Sequence, residues 1–244
     1  MKTYGLIGKS LSHSFSKKHF TRKFENLGLN DCTYRNIEID TIEDFPQKMK
    51  ELSPSGLNVT IPYKKAILPY LDELDEVAKE IGAVNTIVFK EGKLKGYNTD
   101  AFGFHQSIKP FFKPQHERAL ILGTGGASKA VEYILKQYGV DVFFASRSET
   151  KDNILNWNDI NENVIKHHLL IINCTPLGMF PNVDSKPDIP YSGLTEQHLL
   201  IDLVYNPEET LFLKLGKEKG AKVLNGLTML QQQAEKSWEL WVEK

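Results

Sequence analysis

Apolar and polar positions alternate with two different periods along the first hundred residues. Short runs of β-forming residues predict strands, namely 4–8, 33–39, 58–61, 84–90 and 94–97. Apolar residues at helical spacing predict helices at 17–27 and 42–52. Glu91, Gly92 and Lys93 supply a tight turn between the last two strands, which predicts a β-hairpin. The amino-terminal part of the chain is therefore predicted to form an α/β unit.

A second series of the same kind follows residues 109–114, where two prolines predict a linker or a domain edge. The predicted strands of this series are 118–122, 140–145, 169–174, 199–204 and 223–224. The predicted helices are 127–138, 208–219 and 227–242, and periodicity alone does not identify the partner of the last one. The pattern predicts two α/β units in series.

Composition narrows the function classes further. The chain has 244 residues, a hydrophobic fraction of 41% and a net charge of −1, which disfavours nucleic-acid and polybasic membrane partners. No segment approaches the roughly 20 apolar residues of a membrane span, and no signal peptide is evident. Cys32 and Cys174 show no metal-ligand spacing. We therefore expect two reduced thiols in a cytoplasmic protein, and no metal site.

Lys64 and Asp100 are the first candidates for chemistry. Asn58 and Thr60 alternate with Val59 and Ile61 along a predicted strand that Pro62 ends, so Lys64 follows a strand end. Asp100 follows a short polar turn and opens a predicted helix. A lysine and a carboxylate that project from two element ends fit a proton-transfer pair. A surface lysine and a helix-capping aspartate are the alternative, which spacing alone favours.

Residues 123–127 form a glycine-rich turn between a predicted strand and a predicted helix. Gly123, Gly125, Gly126 and Ala127 in this context favour binding of a pyrophosphate, because glycines let the backbone approach and the helix start attracts negative charge. A tight turn without a ligand is the alternative. The turn is therefore a candidate dinucleotide site.

The end of the next predicted strand indicates which dinucleotide binds. An NAD enzyme usually places an acidic residue there, whereas this chain has Ser146, Arg147 and Ser148, with Lys151 nearby. These side chains suit a 2′-phosphate, and Glu149 is the one residue that does not. The sequence therefore favours NADP over NAD.

Eight segments together resemble the shikimate dehydrogenase family, nearly from end to end. They are HSFS at 13–16, NVTIPYK at 58–64, GAVNT at 82–86, GYNTD at 96–100, GTGGA at 123–127, NCTPLGM at 173–179, DLVYNP at 202–207 and GLTML at 226–230. The resemblance implies NADPH-dependent reduction of 3-dehydroshikimate to shikimate, in aromatic amino-acid biosynthesis. It also implies that Lys64 and Asp100 are the catalytic pair: Lys64 delivers the proton to the carbonyl oxygen, and Asp100 orients that region.

The same resemblance implies a set of substrate-binding residues. Ser14 and Ser16 are expected to bind the substrate carboxylate at a helix start, where one of them is equally suited to be the N-cap. The residues expected to hydrogen-bond the ring hydroxyls or to complete the site are Thr60, Lys64, Asn85, Asp100, Tyr205 and Gln233. His13 is not expected to transfer protons, and Asn58 is expected to be structural.

For the cofactor, the resemblance adds Gly226, where the nicotinamide would lie close to the backbone, and Met229, which shares a helix face with Gln233. It implies a substrate-binding domain of residues 1–101 and 226–244, to which the last helix returns, and a Rossmann-like NADP-binding domain of residues 102–225. A monomer and a homodimer both remain open.

Two departures from the family pattern concern the adenosine side of the cofactor site. The chain is shorter than usual between 147 and 169, where asparagines interrupt the helical pattern, and Ser146 stands where the family more often has Asn. Two other functions remain: a quinate/shikimate dehydrogenase of broader specificity, with NAD as a further option, and a catalytically silent NADP-binding regulatory module. Retention of five residues together argues against the silent module, namely Lys64, Asp100, Ser14, Ser16 and Gln233.

Overall fold

The computed structural model describes residues 1–12, 14–147 and 152–243. The chain separates into two compact units. Unit 1 comprises Met1–Asp100 and Gln233–Lys244, and unit 2 comprises Ala101–Gln232. Each unit contains helices packed on a β-sheet, so the predicted α/β class is confirmed.

Unit 1 is built on a mixed sheet. Its strands are β1 (Lys2–Gly8), β2 (Cys32–Glu38), β3 (Gly56–Val59), β4 (Glu73–Leu74), β5 (Thr86–Lys90) and β6 (Lys93–Tyr97). Its helices are α1 (Phe15–Asn26), α2 (Phe45–Leu52), α3 (Tyr63–Ala66), α4 (Glu76–Ile81) and the first residues of α5 (Thr99–Ile108). Among the described residues the strand order is β2-β1-β3-β5-β6-β4. The predicted hairpin is confirmed, because β5 and β6 pair antiparallel.

Alternate residues of the strands in unit 1 contribute to two separate cores. Ile7, Leu57 and Ile87 belong to one core, whereas Tyr4 belongs to an aromatic core with α1 and the last helix of the chain. Gly56 lets the indole of Trp241 lie against β3, since a side chain at that position would overlap the ring. The carboxyl end of the chain is thereby packed on the sheet of unit 1.

Unit 2 is built on a parallel sheet. Its strands are β7 (Arg118–Leu122), β8 (Asp141–Ser146), β9 (Ile154–Asn156), β10 (Leu170–Asn173), β11 (Leu199–Asp202) and β12 (Lys222–Leu224). Its helices are the rest of α5, α6 (Gly126–Gln137), α7 (Glu162–His167), α8 (Leu211–Glu218) and the start of α9 (Leu227–Val242). Across the described ranges the order is β12-β11-β10-β7-β8-β9. This is the doubly wound order, whose direction reverses between β7 and β10.

Several element boundaries differ from the sequence prediction. The strand predicted at 58–61 ends at Val59, and Ile61 lies in the following turn with 76% of its surface exposed. Lys64 follows the end of β3, as predicted, and lies on the short helix α3, which was not predicted. The asparagine-rich segment contains β9 and α7, which the pattern did not predict. Asn161 caps α7, because its side-chain oxygen accepts hydrogen bonds from the backbone of Asn163 and Val164.

Three further features of the described residues bear on function. In the part of the chain that the structure describes, no helix is long and apolar enough to cross a bilayer. Within the same ranges no cluster of three or more His, Cys, Asp or Glu side chains is arranged to hold a metal ion. Cys32 and Cys174 are both free thiols.

Candidate active site

Lys64 and Asp100 form a largely buried ion pair in unit 1. The Lys64 Nζ atom lies 2.6 Å from Oδ2 of Asp100, and their side chains are 15% and 10% exposed. The backbone carbonyl of Lys64 accepts a hydrogen bond from the N–H of Val84, which anchors α3 to the segment between α4 and β5. A charge pair at this depth attracts strongly, and removal of one partner leaves an uncompensated charge.

Asn85 holds the other oxygen of the same carboxylate. Its Nδ2 donates to Oδ1 of Asp100 at 2.9 Å, and its Oδ1 accepts from the backbone N–H of Thr99 at 2.7 Å. The second interaction satisfies a free amide at the start of α5, which carries Asp100. Asn85 therefore fixes both the side chain of Asp100 and the helix start beneath it.

Gln233 on α9 joins this group. Its Oε1 lies 3.4 Å from both Asn85 Nδ2 and Thr99 Oγ1. The structure thus brings together four residues that the sequence predicted for the site: Lys64, Asn85, Asp100 and Gln233.

A second layer of buried polar side chains lies against these four. Thr86, Thr99 and Ser237 exchange hydrogen bonds through their hydroxyls at 2.8 to 3.2 Å. Sequence reasoning did not single out these three residues. Thr86 and Thr99 stand inside motifs that were noted, and Ser237 is one helical turn beyond Gln233. Asn58, which was expected to be structural, is buried and donates to Ser237 at 3.0 Å.

Ser14, Ser16 and Thr60 lie at the ends of neighbouring elements of unit 1. Ser14 caps α1, because its hydroxyl accepts from the N–H of Lys17 at 3.3 Å. Ser16 is buried and hydrogen-bonds Tyr34. Burial raises the pKa of Tyr34, and the Ser16 hydrogen bond opposes this rise. Thr60 follows β3 and donates its backbone N–H to Ile7. His13 lies outside the described residues.

The glycine-rich turn of unit 2 joins β7 to α6 at the point where the strand order reverses. Gly123 has a φ of +101°, and a side chain there would meet Thr175, so glycine is required. Gly125 is the N-cap of α6 and supplies no capping side chain, and the first turn carries no acidic residue. Gly126 and Ala127 follow at the helix start, so their amide groups suit an anion.

Four further predicted cofactor residues, Ser146, Arg147, Gly226 and Met229, also lie in unit 2. Ser146 is the buried last residue of β8, and Arg147 after it is exposed. A side chain on Gly226 would collide with the carbonyl of Leu203, and Met229 is buried. Tyr205 was predicted for the substrate rather than for the cofactor, and burial raises the pKa of its hydroxyl. Ser148 and Lys151 fall outside the described residues, as does Glu149.

Comparison with known proteins gives one consistent result. Residues 6–87 match the family described as shikimate dehydrogenase substrate binding domain. The shikimate dehydrogenase (NADP(+)) of Halothermothrix orenii is 40% identical over 259 residues, which cover 97% of this chain and 89% of that protein. The one of Clostridium beijerinckii is 40% identical over 253 residues, covering 100% and 93%.

Solved structures agree. Shikimate 5-dehydrogenase from Thermus thermophilus, in complex with NADP(H) and shikimate, has a TM-score of 0.88 and 32% identity, covering 100% of this chain and 94% of that one. Quinate dehydrogenase from Corynebacterium glutamicum, in complex with NAD, also has a TM-score of 0.88, with 29% identity and coverage of 100% and 94%.

A doubly wound unit with a glycine-rich turn and a second unit with a buried lysine–carboxylate pair define a dinucleotide-dependent oxidoreductase. The curated relatives are named for NADP. The chain belongs to the shikimate dehydrogenase family.

Proposed function

We propose that this chain catalyses the reversible NADPH-dependent reduction of 3-dehydroshikimate to shikimate, a step toward chorismate and the aromatic amino acids. The observation that supports this most directly is the Lys64–Asp100 pair, held at both carboxylate oxygens within a chain of the shikimate dehydrogenase family. Reduction of a ketone needs a proton for the oxygen that becomes a hydroxyl, and an ammonium group can supply it.

Lys64 is the proton donor in this proposal. An ammonium group has three donors, and the described contacts of Lys64 use one of them on Asp100. Another N–H stabilises the negative charge that develops on the substrate oxygen and then transfers its proton there. In the reverse direction the neutral amine accepts the proton from the hydroxyl of shikimate.

Asp100 and its neighbours orient the reacting groups. Asp100 fixes the position of Lys64 and accepts from a ring hydroxyl, and Asn85 and Gln233 bond further hydroxyls. Each buried hydroxyl of the substrate needs such a partner, because an unpaired polar group is costly to bury. Ser14 and Ser16 bind the carboxylate, and Thr60 and Tyr205 complete the substrate-binding set.

Two observations support the binding of a dinucleotide by the residues proposed for NADP. The start of α6 has amides with no capping side chain, and the first turn of α6 carries no acidic residue that would repel a phosphate. The set comprises Gly123, Gly125, Gly126, Ala127, Ser146, Arg147, Ser148, Lys151, Gly226 and Met229. Bound NADPH supplies the hydride. Arg147 and the neighbouring serines would hold the 2′-phosphate that distinguishes it from NADH.

The two tasks are assigned to two domains, whose bounds differ by a few residues from those of units 1 and 2. We assign substrate binding to residues 1–101 with 226–244, and NADP binding to residues 102–225.

A cytoplasmic location is proposed as well, because both cysteines are free thiols.

A second candidate function is a dehydrogenase that also accepts quinate. The similarity to the quinate dehydrogenase of Corynebacterium glutamicum is the observation that favours it. Quinate has a hydroxyl on the ring carbon that bears the carboxylate, where shikimate has a ring double bond, whereas Lys64 and Asp100 would act in the same way on both.

The deciding experiment is the initial rate of shikimate oxidation with NADP at alkaline pH, run beside NAD and beside quinate. We expect fast turnover with shikimate and NADP alone. Comparable rates with quinate or NAD would favour the broader dehydrogenase. Binding of NADPH without turnover of either substrate would contradict an enzymatic function and leave the regulatory module.

A further inference from the structure

Ser237 is a fully buried serine at the centre of the polar layer of unit 1. Its Oγ lies 2.8 Å from Thr86 Oγ1, 2.9 Å from the Gln233 carbonyl oxygen, 3.0 Å from Asn58 Nδ2 and 3.1 Å from Thr99 Oγ1. These partners belong to β5, α9, β3 and the start of α5. One hydroxyl therefore connects the last helix to three other elements.

The directions of these hydrogen bonds follow from the chemistry of the groups. A serine hydroxyl has one proton and two lone pairs. The carbonyl of Gln233 can only accept, so it takes the proton of Ser237. The amide of Asn58 can only donate at Nδ2, so it occupies one lone pair, and a threonine hydroxyl donates to the other. The proton and both lone pairs of the Ser237 hydroxyl are thus used.

The contacts of Gln233 with the same cluster are longer. Its Oε1 lies 3.4 Å from Asn85 Nδ2 and from Thr99 Oγ1, whereas the bonds of Ser237 are 2.8 to 3.1 Å. Ser237 is one helical turn beyond Gln233, on the same face of α9. The short bonds therefore lie directly beneath the turn that carries Gln233.

Other anchors of α9 are farther away or less buried. The indole Nε1 of Trp241 donates to the carbonyl of Ile87 at 3.0 Å, two turns beyond Gln233. Glu235 pairs with His19 and Lys23, but its side chain is 41% exposed. Ser237 is thus the buried anchor on the face of Gln233 and one turn from it.

We propose that Ser237 is a positioning residue: its hydroxyl sets the rotation of α9 about its axis and so holds the Gln233 amide toward the ring hydroxyls of the substrate. This inference rests on the proposed function, in which Gln233 binds substrate. Ser237 itself is too deeply buried to contact the substrate. Because Gln233 would contact the substrate equally before and during the reaction, loss of its placement raises KM and leaves kcat nearly unchanged.

The test compares three substitutions at one position. Ser237→Ala and Ser237→Cys remove the hydroxyl, and the cysteine avoids an empty space should the alanine variant fail to fold. Ser237→Thr keeps the hydroxyl. A matched control is Ser107→Ala, because Ser107 is also buried but donates only to its own helix, at the Phe104 carbonyl. Steady-state kinetics with shikimate and NADP are measured for each, with shikimate affinity by calorimetry.

We expect Ser237→Ala and Ser237→Cys to raise the KM for shikimate about fivefold to tenfold, with kcat and the KM for NADP within about twofold of wild type. Ser237→Thr and Ser107→Ala should stay near wild type. In a Gln233→Ala background, Ser237→Ala should add little, because the residue it positions is gone.

A wild-type KM in both hydroxyl-free variants would overturn the inference, and so would a similar rise in Ser237→Thr or an additive effect in the Gln233→Ala background. These outcomes require a wild-type enzyme that oxidises shikimate. Absence of that turnover would instead overturn the proposed function, and the inference with it.

Discussion

Asn85 Nδ2 donates a hydrogen bond to Oδ1 of Asp100 at 2.9 Å, and Lys64 Nζ donates one to Oδ2 of the same carboxylate at 2.6 Å. Both oxygens of Asp100 thus face donors. An ionised carboxylate satisfies this arrangement, whereas an amide in its place must turn its own NH₂ toward one of the two donors.

Asp100→Asn should therefore lower both stability and turnover. The substituted amide would leave Asn85 or Lys64 without an acceptor in a buried site, at a cost of about 1–3 kcal/mol in the free energy of unfolding. Turnover should fall as the orientation of Lys64 is lost. Urea unfolding and kcat for shikimate oxidation check the two effects.

A compensating change sharpens this test. In the double variant Asn85→Asp with Asp100→Asn, the amide and the carboxylate exchange places. The carboxylate at position 85 can accept from the Thr99 backbone and from the amide NH₂ at position 100. The amide oxygen at position 100 can accept from Lys64. We expect the double variant to recover stability relative to Asp100→Asn alone. Additive losses would show that the donor and acceptor pattern does not govern this site.

Lys64→Met should reduce kcat by about 10³-fold, because general acid catalysis contributes about 10²–10⁴-fold. Methionine keeps the apolar stem and removes the ammonium group. NADPH affinity, measured by fluorescence, should change less than about twofold, since the residues proposed for the dinucleotide lie in unit 2. The control is Lys65→Met, at the exposed neighbouring lysine. Near-normal turnover of the Lys64 variant would contradict its assigned role.

The elements that the sequence predicts well are those with a clear apolar signal. Residues 118–122 and 227–242 were predicted with the bounds that β7 and α9 have: β7 is a continuous apolar run after Arg118, and α9 is amphipathic. The helix α3 was not predicted, since four residues are too few to show a helical period. The strand β9 and the helix α7 were missed because asparagines that cap and turn the chain look, in sequence, like a loop.

The residues of the candidate site were likewise predicted only in part. Spacing alone placed Lys64 and Asp100 at element ends, where it favoured a surface lysine and a capping residue. The family resemblance assigned them to catalysis and added Asn85 and Gln233. Ser237 was not predicted, because a serine among apolar positions of an amphipathic helix gives no sign of the partners it meets. Those partners come from residues 58, 86 and 99, far away in sequence, and only the folded sheet brings them to α9.

Arg147→Ala should weaken NADPH binding about tenfold or more and leave NADH binding nearly unchanged. A charge-assisted hydrogen bond to the 2′-phosphate is worth about 1.5–3 kcal/mol, and NADH has no phosphate there. Dissociation constants for both dinucleotides check this. The control is Arg118→Ala, which removes an exposed arginine at the start of β7, 4.0 Å from Asp141. Equal weakening of both dinucleotides would contradict the role of Arg147.

Asp202 predicts a pH dependence of stability that is independent of the reaction. Burial raises the pKa of this carboxyl from 3.8 to about 6, although hydrogen bonds from Thr210, Val204 and Asn173 favour the ionised form. The folded state therefore holds a proton that the unfolded state releases between those two pH values. The protonated Asp202 carboxyl therefore adds its full contribution to the free energy of unfolding below about pH 4. This contribution is lost as the pH rises to about 6.

The variant Asp202→Asn stays neutral and lacks this loss. The difference in unfolding free energy between this variant and wild type should therefore rise by on the order of 2–3 kcal/mol from about pH 4 to about pH 6.5. Above that range the difference should stay constant. Urea unfolding of both proteins across this range measures the difference, with Asp141→Asn at an exposed aspartate as the control. A difference between variant and wild type that does not change with pH would show that Asp202 is already ionised at the acidic end of this range in the folded protein. The three hydrogen bonds would then outweigh burial.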